Sequence, residues 1–107
     1  MLKYSVIVPV HDNDGREFHP SIIQEFEFEI MVITGGLTRE AVTEGKWMNP
    51  KDRKIYIDKG IKYVIAVKEE KLPKLQQIIK IYMKRLGQIS YYYEIDRHTE
   101  VKVEYTN

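Results

Sequence analysis

The chain lacks cysteine altogether, and its 107 residues include only one tryptophan, four prolines and six glycines. Without thiols, the sequence excludes disulfides, thiolate nucleophiles and zinc sites built from cysteine. This composition is compatible with a reducing cytoplasm, where we expect the protein to work. No apolar run approaches the roughly 20 residues that a transmembrane helix needs. The first residues lack a small-residue cleavage site, so we expect no signal peptide.

An excess of charge of one sign is also missing, because 17 basic and 16 acidic residues leave a formal net charge of +1. That balance disfavours tight binding to phosphate backbones. The content of 43% hydrophobic and 31% charged residues is typical of a globular protein. The length suits one domain spanning residues 1–107. Its many charged residues also favour a thermophilic source.

Apolar side chains on both faces mark two segments as central strands. These are residues 2–10 and the second half of residues 54–68, where Asp58-Lys59-Gly60 predicts a bulge or a tight turn. Residues 37–48 and 88–96 are predicted as further strands, and residues 101–105 as a short C-terminal strand.

Two segments are predicted as helices. Residues 20–34 begin with Pro20, have capping-box spacing at Ser21 and Gln24, and end before Gly35. Their phenylalanines also alternate as in a strand, but the end signals favour a helix. Residues 72–86 repeat apolar side chains at helical spacing, and Gly87 ends them.

The element order β-α-β-β-α-β, with the additional C-terminal strand, predicts a ferredoxin-like α+β sandwich. Both helices would cover one face of an antiparallel sheet. Right-handed crossovers place the first and third strands in the middle of that sheet. These are the two strands with apolar residues on both faces, so topology and composition agree.

Few residues suggest chemistry. The segment 11–15, "HDNDG", offers an imidazole and two carboxylates, but its residue types are those of a turn. Glu25, Glu27 and Glu29 are interpreted as a solvated acidic helix face. No phosphate-binding loop, dinucleotide fingerprint or H-E-x-x-H motif is present. We therefore expect no metal and no cofactor, and the sequence leaves open whether the protein is an enzyme.

The segment 35–48 concentrates three of the glycines and the tryptophan. Gly45 predicts a bulge or a close approach beside Trp47. The indole is expected to act as a packing anchor, or else to contact a ligand or partner.

These residues resemble an uncharacterised family of small bacterial domains over residues 20–105. The matching positions are Gly36-Leu37-Thr38, Gly45-Lys46-Trp47, Tyr82 and Gly87-Gln88, and Asp58 stands where that family usually has glutamate. The resemblance implies a fold and no reaction.

Three functions are compatible with the predicted fold and residues. The first is a self-associating interaction or regulatory domain, a homodimer joined through the sheet face that the helices leave open. That face would carry an apolar centre within a charged rim, as protein interfaces do. Its central residues are predicted to be Ile7, Val64, Ala66 and Tyr92.

The second function is a small-molecule enzyme with a pocket on the open sheet face, which rests on analogy between folds. Its candidate residues are Trp47, Tyr56, Tyr82, His11 and Arg39. The third is weak nucleic-acid binding through the basic side of the second helix and Tyr92, and the near-neutral net charge makes nucleic acid the least favoured partner.

Overall fold

The computed structural model describes residues 1–88, 90–104 and 106. Its strands are β1 (Leu2–Pro9), β2 (Thr38–Met48), β3 (Ile55–Val67) and β4 (Tyr93–Asp96), and its helices are α1 (Pro20–Thr34) and α2 (Leu72–Arg85). A 3₁₀ turn, Glu69–Lys71, leads into α2. The strands pair antiparallel in the order β2-β3-β1-β4. Because β1 and β3 are central, the predicted ferredoxin-like α+β fold and its strand order are confirmed.

The core lies between one face of β1 and β3 and the two helices. Alternate strand residues, among them Val8 and Tyr63, are fully buried, as strand geometry requires of a covered face. Phe26 of α1 packs edge-on against Tyr63 at 5.5 Å and against Tyr82 of α2 at 5.4 Å between ring centroids. One phenylalanine ring therefore joins α1, α2 and the sheet.

The residues of β1 and β3 that face the helices are buried, but β4 is more exposed. Tyr93 is 44% exposed because it lies at the edge of the sheet. Its ring nevertheless stacks on the buried Tyr4 at 5.5 Å. The edge strand thus covers the core with a ring face while the rest of that side chain stays in solvent.

The ends of α1 follow the sequence signals with one correction. Pro20 begins the helix, but His19 is the N-cap, and its Nδ1 accepts a hydrogen bond from the Ser21 amide at 3.1 Å. Ser21 is therefore inside the helix, and the predicted capping box is not the cap. Gly35 ends α1 as predicted, with a left-handed φ of 89° that glycine adopts without strain.

The C-terminal segment contains fewer strand residues than predicted. β4 begins at Tyr93, and residues 101–104 form no strand; Ile89 and Tyr105, which the prediction also included, lie outside the described residues. Asp96 ends β4 by accepting hydrogen bonds from the Thr99 hydroxyl and from the amides of Thr99 and His98. These bonds hold the pKa of the Asp96 carboxyl at about 2 and turn the chain out of the sheet.

Strands β2 and β3 continue beyond the rest of the sheet. Pairing of β1 with β3 stops at Pro9 and Gly60. Beyond that point, residues 44–48 pair only with residues 55–59, and we call this two-stranded extension the ribbon. A turn between the two strands closes it, where the Asn49 amide donates a hydrogen bond to the Lys54 carbonyl at 3.0 Å.

The glycine that permits a close approach is Gly60, and not Gly45 as predicted. A Cβ on Gly60 would lie 2.7 Å from the Ile7 side chain and 2.9 Å from the Val8 carbonyl oxygen. A Cβ on Gly45 would meet nothing nearer than the Asp58 carbonyl oxygen at 4.0 Å. The predicted interruption at Gly60 is also wrong, because β3 runs through it, and the register shift lies between Arg39 and Ala41.

We expect Gly60→Ala to lower the free energy of unfolding by about 1–3 kcal/mol, since the added methyl must displace β1 backbone. Gly45→Ala is the matched control, because it makes the same change on a neighbouring strand where space is open. Urea denaturation of both variants measures the difference. Equal stability of the two variants would contradict the close contact at Gly60.

Candidate functional site: a groove at the base of the ribbon

A groove of about 540 Å³ lies on the open face, the sheet face turned away from α1 and α2, where the ribbon leaves the sheet. That volume is within the range of small-molecule sites. The groove runs from β2 across β3 and β1 to the segment that precedes β4. Its floor comes from Ile7, Pro9 and Gly60, its β2 end from Thr43, Gly45 and Trp47 with Asp58 beside them, and its other end from Gln88, Ser90, Tyr91 and Tyr92.

Trp47 is held in place at the β2 end. It is the cross-strand partner of Tyr56, and the two rings stack at 4.8 Å with 19° between their planes. The indole N–H also donates a hydrogen bond to Asp58 Oδ2 at 2.8 Å. Side-chain pairs of this kind stabilise a two-stranded ribbon. Trp47 is still 48% exposed, so it is not the buried anchor that the sequence favoured.

Asp58 supplies the charge of the groove. It lies opposite Gly45, so its side chain shares the open face with Trp47. Glu44 and Lys59 also border the groove, but they pair with each other and alternate to the other face of the ribbon. Their charges are opposite, so the described lining keeps one negative charge, that of Asp58.

The opposite end of the groove is a segment tied to β1 and α2. The Ile7 amide donates to the Tyr92 carbonyl at 3.3 Å, and the Gln88 amide donates to the Met83 carbonyl at 2.9 Å. The Tyr92 hydroxyl donates to Glu94 at 2.7 Å, a bond that raises the pKa of Tyr92. Burial raises the pKa of Tyr91. Both tyrosines are therefore neutral donors and aromatic surfaces at physiological pH.

The five predicted pocket residues do not converge on one site. Trp47 lines the groove and Tyr56 stacks behind it. Tyr82 is buried in the core, where burial raises its pKa, and the Arg85 guanidinium lies 4.9 Å from its ring centroid. His11 lies in a separate bridge with Glu17, 3.9 Å from its carboxylate.

Arg39, the fifth candidate, belongs to a network that holds α1 to the sheet. Its guanidinium lies 2.6 Å from Glu27 Oε2, and the buried Tyr63 hydroxyl donates to the same oxygen. Burial, followed by the Glu27 bond, raises the pKa of Tyr63, and the Glu27 bond raises that of Arg39. The Glu27 side chain is only 15% exposed, so its assignment to a solvated acidic face is wrong.

The predicted interface residues all lie on or beside the open face. Ile7, Val64 and Ala66 are half-buried there, and Tyr92 is 61% exposed. Ile7 and Tyr92 also line the groove. Four positions of the motif noted in the sequence, Gly45, Trp47, Asp58 and Gln88, line it as well, although they are far apart in the chain.

The segment 11–15 is a turn, as its composition predicts. Asp12 Oδ1 accepts hydrogen bonds from the amides of Asp14 and Arg16, both at 2.9 Å. Over residues 1–88, 90–104 and 106, no group of three or more His, Asp or Glu side chains is placed to hold a metal ion. Within the same residues, no helix is long and apolar enough to cross a membrane.

Comparison with known proteins finds structural similarity only. No protein-family description matches the chain, and no curated protein does. Among solved structures, a phage SAM lyase in complex with S-methyl-5′-thioadenosine has a TM-score of 0.67 at 14% identity, over 89% of this chain and 79% of that one. The divalent cation tolerance protein Cut A1 from Thermus thermophilus has a TM-score of 0.64 at 9% identity, over 95% and 88%. At such identities the similarity establishes the ferredoxin-like α+β fold alone.

We expect Glu27→Gln to lower the free energy of unfolding by about 1–3 kcal/mol, because the buried Tyr63 hydroxyl and Arg39 lose a charged acceptor. Glu70→Gln, an exposed change on the turn before α2, is the control and should stay within about 0.5 kcal/mol of the parent protein. Thermal or urea unfolding provides the comparison. A Glu27 variant as stable as the control would show that the network contributes nothing.

Proposed function

We propose that the protein is an interaction or regulatory domain that works as an assembly of identical chains, with a homodimer as the smallest unit. The observation that carries this proposal is the apolar surface of the ribbon. The large apolar side chains exposed in the ribbon and directly beside it are Val42, Trp47, Met48, Ile55, Tyr56 and Ile57. These side chains lie on both faces of the ribbon. Extensive exposed apolar surface marks sites of interaction in folded proteins.

Physical limits on an isolated ribbon support the same proposal. Two paired strands without a packed face are marginally stable in water. Here Met48, Ile55 and Ile57 share the ribbon face turned away from the groove, and they are 56%, 64% and 55% exposed. A second copy that covers this face would stabilise the ribbon. Ordinary interfaces bury roughly 800 Å² per subunit. The open face, on the other side of the sheet, is a second surface for such a contact.

We expect Ile57→Glu to weaken self-association at least about 10-fold, because a charge would then be buried in the contact. Glutamate at this position lies opposite Lys46, so the ribbon of a single chain should tolerate it. Sedimentation velocity or light scattering over a range of concentrations measures the dissociation constant.

Ile81→Glu is the matched control, since Ile81 is 49% exposed on α2, away from the ribbon, and this variant should associate like the parent protein. Val64→Asp applies the same test to the open face. A parent protein that is monomeric at every concentration would contradict the proposal. Unchanged association of both Ile57→Glu and Val64→Asp would contradict the proposed surfaces.

A second candidate function is small-molecule binding in the groove. It is favoured by the volume of the groove and by Trp47, an aromatic side chain fixed there by Tyr56 and Asp58. The phage SAM lyase of similar fold holds a small molecule, S-methyl-5′-thioadenosine. That likeness makes a ligand in this fold reasonable, and the site itself is argued from the groove of this chain. Binding requires no catalytic group, and none of the other four pocket candidates lines the groove.

Gly45→Val should block ligand binding in the groove, because the added side chain enters open space on the groove face. It should not destabilise β2, because valine favours strands. We expect a small molecule to co-purify with the parent protein and its occupancy to fall about 10-fold in this variant. Native mass spectrometry measures occupancy. Lys46→Val, on the other face of the same strand, is the control. A ligand retained equally by both variants would place the site elsewhere.

A further inference from the structure

We propose that the groove selects an uncharged or cationic planar nitrogen heterocycle of nucleoside size and rejects its phosphorylated forms. This inference rests on the groove being a small-molecule site and adds the chemical class of its ligand. Three features of the described lining carry it: the ring surfaces at both ends, the single negative charge, and the open backbone at Gly45.

The ring surfaces favour a flat ligand. Tyr56 covers one face of the Trp47 indole, and the side chain is still 48% exposed, which leaves its second face for a ligand ring. Tyr91 and Tyr92 provide aromatic surface at the opposite end. Stacking of a heterocycle on such rings stabilises binding whatever its substituents. Stacking of a ligand on Trp47 costs little side-chain entropy, because the hydrogen bond to Asp58 already fixes the indole.

The charge selects against anions. Asp58 is the charged side chain that points into the groove, and an ionised carboxylate accepts several hydrogen bonds. With Trp47 as one donor, Asp58 can accept a further bond from a ring or exocyclic N–H of the ligand. A phosphate group in the same groove would be repelled. Lys62, on the open face, is paired with Glu40 at 3.3 Å and does not line the groove.

The floor sets the shape. Gly45 places no side chain in the groove and the space above it is open, so a flat ring can approach the backbone of β2 there. The remaining polar groups lie at the far end, where Ser90 and Gln88 can bond to hydroxyls of an attached sugar. The volume of about 540 Å³ is sufficient for a base and one sugar.

The experiment uses the fluorescence of Trp47, the sole tryptophan of the chain, as a reporter inside the groove. The full-length protein is titrated with adenosine, with AMP and with ribose, and the indole is excited where purines do not absorb. We expect saturable quenching by adenosine, binding of AMP about 10-fold weaker because of repulsion by Asp58, and no response to ribose.

Two variants test the roles of the side chains. Asp58→Asn keeps an oxygen that accepts the Trp47 N–H, so it should retain adenosine binding while the preference over AMP falls to about threefold or less. Tyr92→Leu should weaken adenosine binding about 5- to 10-fold, whereas Phe28→Leu, on an exposed aromatic of α1 outside the groove, should not change it.

Binding of AMP as tight as that of adenosine, or a preference that survives Asp58→Asn, would overturn the proposed selectivity. Absence of saturable quenching by adenosine would overturn the ligand class. In that case, release of a co-purified molecule by Gly45→Val would show that the groove is still a ligand site of another class. If adenosine does not quench the fluorescence and no co-purified molecule is released by Gly45→Val, the proposed small-molecule function is itself contradicted.

Discussion

Burial of one face of β1 and β3 beneath the two helices is the interaction on which the rest of the molecule depends. It also sets a limit. The 15 residues of α1 span about 22 Å, whereas the 13 residues of β3 span about 43 Å. The helices therefore cover only about half of the longest strand. What remains uncovered is the ribbon, and its exposed apolar side chains follow from this mismatch of lengths.

Gly60 lies where the covered and uncovered parts of β3 meet. The missing side chain allows β1 to pack against β3, with Ile7 and Val8 closer than any Cβ would permit. The space over Gly60 is therefore taken up by β1, whereas the space over Gly45 stays open and forms part of the groove. A side chain added at Gly60 would disturb the sheet, whereas one added at Gly45 would occupy the groove.

Local signals in the sequence predict the elements well and the side-chain contacts poorly. Pro20 and Gly35 mark the limits of α1 because proline and glycine act on the backbone of their own segment. The prediction for Glu27 is wrong because its partners, Arg39 and Tyr63, come from two other elements. The sequence favours Gly45 as the site of a close approach because it lies near Trp47. The close approach is at Gly60 instead, because β1 packs against β3 there, and that pairing is not visible in the local sequence. A signal for the Trp47 site is present in the sequence, since a turn at residues 49–54 fixes the register that sets Tyr56 opposite Trp47 and Asp58 opposite Gly45.

Within the ribbon, the ligand groove and the proposed contact of Met48, Ile55 and Ile57 with a second copy use opposite faces, and this separation has a physical consequence. Trp47, Tyr56 and Asp58 face the groove, while Met48, Ile55 and Ile57 face away from it. A ligand that stacks on Trp47 would restrict the ribbon by contacts on one face, and a second copy would restrict it by contacts on the other. The conformational entropy that the ribbon loses when the first partner binds is not lost again when the second one binds. Ligand binding and self-association should therefore favour each other through the rigidity of one shared element, and by linkage the coupling must be equal in both directions.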